Sequence, residues 1–400
     1  MKGPINLVRS DKINELANKG PVFEWSDGIT YLIIDKISYK DKFGAILCYF
    51  NPPVHQVGNP GLDAYLKAMD SILKNKDDHD FFIIYGSNDP VHAGGDLKES
   101  LSNLDKTTEI RKEHEAKGVA AEEIDKLYNW ADDRLKKGIS LHSKIREISQ
   151  FMRVVSICGG GTRFGGSAEI PLMADYIVGD SRSGICFSEA QIGLIPGWGG
   201  IGRTLIKSGR LNAEYMARTS KEIKADQLKK VGIYNIVVDV PFPFPKKQRT
   251  DNPDSDKAVY LNDLEEHDDR TGMLMLPKAL ELAVSSEGAI PVIDEGERLT
   301  LATEDEITNE IKVRSNPETY SSILEKPLKE AKEEIARLGK PLAPQSILAL
   351  DDLFKDYDPS NFDEIAFVKR EMEADARLYR DSKFRAGLIA TLNQLVADYR

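Results

Sequence analysis

The 400-residue sequence contains little cysteine, no excess of positive charge and no long apolar run. Its three cysteines, Cys48, Cys158 and Cys186, lie far apart without a CxxC pair, so they indicate neither a disulfide framework nor a zinc site. The net charge of −11 disfavours nucleic acid as a partner, because nucleic-acid-binding surfaces are basic. No apolar run approaches the roughly 20 residues that a membrane-spanning helix needs.

The N-terminal residues also lack the apolar stretch of a signal peptide. Together with the unpaired cysteines, this absence predicts a soluble, cytoplasmic protein that binds neither nucleic acid nor membrane. Hydrophobic residues make up 41% of the chain and charged residues 30%. This composition suffices for one large domain with additions or for two domains.

Strand and helix patterns alternate through the first 240 residues. Apolar, β-branched or aromatic runs at 29–37 and 43–50 predict strands, and the spacing of apolar residues over 62–76 predicts a helix. Further buried strands are predicted to begin near residues 80, 153, 176 and 233. The alternation predicts an α/β domain over 43–240, preceded by a β-rich extension over 1–42.

Three other regions have distinct compositions. Residues 103–140 are rich in Glu and Lys at helical spacing, which favours a solvated helical insertion. Proline and charge dominate the start of 241–275, which predicts a linker or long loop. Residues 276–400 are expected to be mainly helical.

Two glutamates, Glu169 and Glu189, lie in otherwise apolar, glycine-rich surroundings. Carboxylates avoid such surroundings unless a partner satisfies them or their charge is used. Paired carboxyl groups in a dry pocket are a common means of moving protons to and from a substrate. The alternative is structural, in which each glutamate caps or hydrogen-bonds nearby backbone.

Three glycine-rich segments follow predicted strands: HAGGDLKES at 92–100, GGGTRFGGSAEI at 159–170 and FSEAQIGLIPGWGG at 187–200. Glycine permits backbone N–H groups to face a site that a side chain would block, and N–H groups at a helix start favour negative charge. The second segment contains neither a P-loop nor a GxGxxG motif, which disfavours phosphate sites of those kinds there. Each segment alone is weak evidence for a site.

In order, spacing and local residues, the three segments together resemble the crotonase (enoyl-CoA hydratase/isomerase) superfamily. The resemblance covers residues 43–240 and is sharpest over 83–203. It implies an α/β fold with a crotonase-like ββα spiral core, here carrying the helical insertion and an extended, mainly helical C-terminal region. The chain is longer than ordinary members of the family.

The resemblance also implies roles for individual residues. Glu169 and Glu189 match the catalytic glutamates, Gly95 and Gly166 the oxyanion hole, and Gly197 a loop that holds water or substrate. Substrate-binding positions of the family correspond to Ala93, Asp96, Leu97 and Lys98. No metal or redox cofactor is expected, and coenzyme A enters only as part of an acyl-CoA substrate.

Both glutamates are present, which in this family favours hydration, so the resemblance implies an enoyl-CoA hydratase-like lyase of fatty acid or aromatic acid metabolism. The alternatives are an isomerase or hydrolase of the same family acting on a cyclic or β-oxo acyl-CoA, and a non-catalytic scaffold. Relatives usually form trimers or pairs of trimers, so a homo-oligomer is expected.

Two residues depart from the family pattern. His92 could touch the thioester, but a packed histidine with a structural hydrogen bond is the favoured interpretation. Arg163 could reshape the acyl pocket or reach a phosphate of coenzyme A, and the sequence does not decide between these.

Overall fold

A computed structural model describes residues 11–52, 54–120, 123–124, 129–246, 253–286, 288 and 290–399. Within these residues the chain forms eleven strands, fifteen α-helices and four short 3₁₀ helices. The strands are β1 (Ala17–Ser26), β2 (Tyr31–Tyr39), β3 (Lys42–Phe50), β4 (Phe81–Tyr85), β5 (Val91–His92), β6 (Arg153–Cys158), β7 (Thr162–Phe164), β8 (Tyr176–Asp180), β9 (Gly184–Cys186), β10 (Ile223–Lys224) and β11 (Ile236–Val238).

The helices are α1 (Asp11–Leu16), α2 (Asn59–Lys74), α3 (Leu97–Glu115), α4 (Trp130–Ile148), α5 (Gly166–Leu172), α6 (Gly200–Ser208), α7 (Arg210–Thr219), α8 (Ala225–Lys230), α9 (Pro253–Val284), α10 (Glu304–Arg314), α11 (Pro317–Leu324), α12 (Leu328–Leu338), α13 (Pro344–Lys355), α14 (Glu364–Leu378) and α15 (Ser382–Leu392). No helix in this described part of the chain has the length and hydropathy of a membrane span.

The larger sheet has seven strands in the order β1-β2-β3-β4-β6-β8-β11. Strands β1, β2 and β3 pair antiparallel, whereas the pairs from β3 to β11 are parallel. Lys40 and Asp41, both at positive φ, form the two-residue turn between β2 and β3. The boundary predicted between residues 42 and 43 therefore falls inside one continuous sheet.

The smaller sheet has the order β10-β9-β7-β5, in which β5, β7 and β9 run parallel. Consecutive strands alternate between the two sheets. Strands β4, β6 and β8 belong to the larger sheet, and the strands that follow them in sequence, β5, β7 and β9, belong to the smaller sheet. Carboxyl ends of parallel strands meet at one edge of a sheet. This arrangement brings the three glycine-rich segments together, because the first begins at the end of β5, the second contains β7 and the third follows β9.

Both faces of the larger sheet are buried, since side chains of a strand alternate between its faces. In β4, Phe82 and Ile84 join one apolar cluster, which includes residues of α2 and α4. Phe81 and Ile83 join a second cluster on the other face, which includes residues of α9.

The region 241–275, predicted as a linker or long loop, is helical from Pro253 onwards. Residues 247–252 lie outside the described part of the chain, but α9 begins at Pro253. Its later turns bury Met275 and Leu276 against the larger sheet. The prolines and charged residues that suggested a loop are confined to the start of this region. The apolar face of α9 can be recognised only when several helical turns are considered together.

In the insertion predicted for residues 103–140, residues 103–115 belong to α3 and residues 130–140 to α4, and α4 is not solvated throughout. In α4, Leu135, Leu141 and Ile145 are fully or almost fully buried in the first apolar cluster. This helix packs against α2 and α14. Charged residues on the other face of α4 dominate the overall composition of this segment, so composition alone does not reveal the apolar stripe.

Because α9 covers one face of the sheet, truncation of its inner side chain Leu280, 1% exposed, is expected to destabilise the protein. We expect Leu280→Ala to lower the free energy of unfolding by about 2–5 kcal/mol, the usual cost of such a cavity. Met273 on the same helix is 59% exposed, so Met273→Ala is the matched control and should change little. Equal urea midpoints for the two variants would contradict this assignment of α9 to the core.

Candidate active site

The three glycine-rich segments and the two glutamates line one cavity of about 560 Å³. Ala93, Gly95 and Leu97 come from the segment after β5. Gly166 and Glu169 come from the turn after β7 and from helix α5. The structure thus assembles candidates that are more than 70 residues apart in sequence.

The third segment, after β9, adds Glu189 and Gly197 to the same cavity. Its first turn is a 3₁₀ turn over Glu189–Gln191, and its glycines lead into α6. Most of the cavity wall is apolar, so charges inside it are poorly screened.

Glu169 is buried and held by backbone. Its Oε1 accepts hydrogen bonds from the N–H groups of Trp198 at 2.8 Å and Gly200 at 3.0 Å. Burial raises the pKa of Glu169 from 4.5 to about 7, against the opposing effect of these donors. A carboxyl group with this pKa exchanges a proton readily near neutral pH.

Glu189 is buried with less support. Its Oε2 has no hydrogen-bond partner among the described residues. Burial, followed by the negative charge of Glu169, raises the pKa of Glu189 well above its ordinary value. Like charges disfavour simultaneous ionisation of the two groups, and the two backbone donors favour placing a single negative charge on Glu169.

The turns after β5 and β7 touch backbone to backbone. A Cβ on Gly94 would lie 2.7 Å from the carbonyl oxygen of Phe164 and 3.1 Å from the nitrogen of Gly166. Gly165 has φ of +51°, which places it in the left-handed region. Glycine is therefore required on both sides of this contact, and Gly95 and Gly166 end up at neighbouring places in the cavity wall.

Asp96 and Lys98, both predicted to bind substrate, are not among the residues that line this cavity. Asp96 caps α3, because its Oδ1 accepts from the N–H groups of Lys98 and Glu99 and its Oδ2 from the side chain of Gln56. Lys98 is exposed and lies along a separate groove on α3. The start of α3 thus directs the two side chains away from the glutamates.

His92 and Arg163 also lie outside the main cavity. Both line a small closed space of about 30 Å³ together with His55. Burial, then the charge of Arg163, lowers the pKa of His92. Arg163 donates to the carbonyl groups of Ser87 and Gly159, each at 3.2 Å, so the guanidinium group ties strand ends together.

Three residues that the sequence analysis did not identify also line the cavity. Arg134 comes from α4, Asp375 from α14, and Tyr379 directly follows α14. All three are buried. Residues 371, 375 and 379 recur every four positions, and polar residues at this spacing on an otherwise apolar helix face are the signal that could have revealed them.

Arg134 lies beside the first glycine turn. Its guanidinium group donates to the carbonyl oxygen of Val57 at 2.8 Å and lies 3.5 Å from a carboxylate oxygen of Glu99. It also lies 5.3 Å from the ring centroid of Trp198. A Cβ on Gly95 would be 2.4 Å from an Arg134 nitrogen, so a positive charge adjoins the predicted oxyanion hole.

Comparisons with known proteins agree with this architecture. Residues 116–241 match a family model described as enoyl-CoA hydratase/isomerase. That range contains Gly166, both glutamates and Gly197, but not Gly95.

Many proteins are similar to the chain, and two of them illustrate the likeness. The fatty acid oxidation complex subunit alpha of Psychrobacter sp. (strain PRwf-1) is 28% identical over 169 residues, which is 42% of this chain. The chain spans only 20% of that relative's length. An enoyl-CoA hydratase from Rhodobacter sphaeroides 2.4.1 has the same fold, with a TM-score of 0.53 and 16% identity over 91% of this chain and 89% of that one. These comparisons confirm the predicted fold class and the family resemblance.

The raised pKa of Glu169 predicts how stability depends on pH. Ionisation of this group opposes folding, so its destabilising effect should develop as the pH rises from 4.5 through about 7. Glu169→Gln keeps an oxygen acceptor for the N–H groups of Trp198 and Gly200 but cannot ionise. We expect the variant to melt at a higher temperature than wild type at pH 8 and at a similar temperature near pH 5.

The measurement is thermal unfolding at a series of pH values, with the exposed Glu109→Gln as control. A Glu169→Gln protein that is less stable than wild type at pH 8 would show that the buried charge is compensated.

Proposed function

We propose that this chain, which belongs to the enoyl-CoA hydratase/isomerase (crotonase) superfamily, is a lyase that adds water to a 2-enoyl-CoA or removes it from the 3-hydroxyacyl-CoA. The observation that carries the proposal is the presence of Glu169 and Glu189 in one mainly apolar cavity, next to Gly95 and Gly166. Coenzyme A takes part only as the carrier of the acyl group, and the chemistry requires no metal or redox cofactor.

The difference between the two carboxyl groups supports separate roles. Glu169, with two N–H donors, ionises first and is suited to take a proton from water as its oxygen attacks the β-carbon. Glu189 keeps its proton and is suited to donate it to the α-carbon. One water is consumed per double bond, and transfer of the water-derived proton from Glu169 to Glu189 restores the starting state.

Negative charge develops on the thioester oxygen during this addition. In the proposed mechanism the backbone N–H groups of Gly95 and Gly166 stabilise that oxygen, and loss of one such donor typically costs about 10²–10³ in rate. Arg134, adjacent to Gly95, adds a positive potential in a cavity of low polarity. The glycines at these positions let the reacting carbonyl approach the backbone closely.

A second candidate function has one specific observation in its favour. Arg134 and Tyr379 both line the cavity, so the cavity holds polar groups in addition to the glutamates. These groups would suit an acyl group that carries its own oxygen, as in hydrolysis of a cyclic or β-oxo acyl-CoA. A homo-oligomeric assembly, a trimer or a hexamer, stays a prediction.

Removal of either carboxyl group is expected to abolish most turnover. Glu169→Gln and Glu189→Gln should each lower kcat by about 10²–10⁴, the usual contribution of general acid–base catalysis, with little change in binding of the CoA ester. Steady-state kinetics on 2-enoyl-CoA substrates measures both effects. The exposed Glu109→Gln serves as control, and wild-type kinetics in either site variant would rule out the paired-carboxyl mechanism.

Isotope labelling distinguishes the two candidate functions. Crotonyl-CoA, a longer 2-enoyl-CoA and a cyclic enoyl-CoA are incubated with the protein in H₂¹⁸O, and the products are analysed by mass spectrometry. We expect the label at the β-carbon of an intact thioester. Label in a released or ring-opened carboxylate would instead establish hydrolysis.

A further inference from the structure

Helix α14 supplies two buried carboxyl groups to segment 195–202, the sequence IPGWGGIG that ends in α6. Oδ1 of Asp375 accepts a hydrogen bond from the N–H of Ile195 at 3.0 Å. Oε1 of Glu371 accepts from the N–H of Gly202 at 2.6 Å. The two acceptors, one helical turn apart, therefore hold both ends of the segment.

The middle of the same segment holds Glu169. The N–H groups of Trp198 and Gly200 are the donors to its Oε1. Three buried carboxyl groups thus share the backbone donors of eight consecutive residues. The position of α14 consequently determines where the donors to Glu169 lie.

Asp375 also explains why residue 197 is glycine. A Cβ on Gly197 would lie 2.6 Å from Oδ2 of Asp375 and 3.0 Å from a methyl group of Leu135. The carboxyl group occupies the space that any larger residue would need, and it lines the cavity with both glutamates.

We propose that Asp375 is a positioning residue of this site, which fixes segment 195–202 so that its N–H groups orient Glu169 towards the substrate. The inference about catalysis rests on the proposed hydratase function. The inference about the segment does not, because it follows from the hydrogen bond to Ile195 and the contact at Gly197.

The charged groups around Asp375 come from several elements. Arg134 on α4 favours its ionised form, whereas Glu169 on α5 opposes it. Among the described residues, Glu189 and Tyr379 also interact electrostatically with Asp375, and Glu371 lies one turn earlier on the same helix. Burial raises the pKa of Asp375 well above its ordinary value. The hydrogen bond from Ile195 lowers this pKa, but by less than burial raises it.

The test compares two substitutions at residue 375. Asp375→Asn keeps an oxygen acceptor for the N–H of Ile195, so kcat near pH 7 should change little. Asp375→Ala removes the acceptor and should lower kcat by about 10–100-fold, because small misplacements of a catalytic group are costly. KM should change much less, because the groups proposed to bind the thioester belong to the glycine turns and not to α14.

Kinetics on the 2-enoyl-CoA turned over fastest in the labelling panel gives one readout. Hydrogen exchange of the backbone amides in segment 195–202, followed by mass spectrometry, gives a second that needs no turnover. We expect faster exchange in Asp375→Ala and near-wild-type exchange in Asp375→Asn. Glu373→Gln, on the exposed face of the same helix, is the matched control and should alter neither readout.

The outcomes separate the two levels of the inference. Wild-type exchange and wild-type kcat in Asp375→Ala would overturn the positioning role. Equal loss of kcat in Asp375→Asn and Asp375→Ala would also overturn it, because hydrogen-bond acceptance would then not be the relevant property. Faster exchange in Asp375→Ala, with a wild-type protein that hydrates none of the panel, would uphold the positioning of the segment and reject the hydratase function.

Discussion

Burial of carboxyl groups in an apolar cavity is the constraint on which the organisation of this protein depends. An isolated buried carboxylate is very costly unless hydrogen-bond donors or opposite charges compensate it. Here backbone N–H groups of residues 195–202 donate to Glu169, Glu371 and Asp375 and offset only part of the cost of burial, since the pKa of each group stays above its ordinary value. Glycines permit the backbone to approach these groups closely, as at Gly197 and Gly200.

The two sheets place these groups relative to one another. Parallel pairing of β5, β7 and β9 brings the segments that follow them to one edge of the smaller sheet. The larger sheet, covered on one face by α2 and α4 and on the other by α9, provides the rigid support.

Unequal support creates the chemical difference between the two glutamates. Glu169 has two backbone donors, whereas one carboxyl oxygen of Glu189 has no partner among the described residues. Burial raises the pKa of both, and their mutual repulsion keeps a proton on the less supported group. A similar chain with donors on both glutamates would lose the distinction between a proton acceptor and a proton donor.

The sequence alone determined the features that depend on short stretches of chain: the alternation of strands and helices, the glycine turns, and Glu169 and Glu189 as a pair in one site. It did not reveal that Asp96 caps α3 or that neither Asp96 nor Lys98 lines the cavity, because the direction of a helix start decides where these side chains point. Only the tertiary structure decided that α9 covers the sheet, that Arg134 of a charged helix is buried, and that Asp375 meets Ile195. Those contacts join residues far apart in sequence. They depend on how whole helix faces pack against one another, which no local sequence pattern specifies.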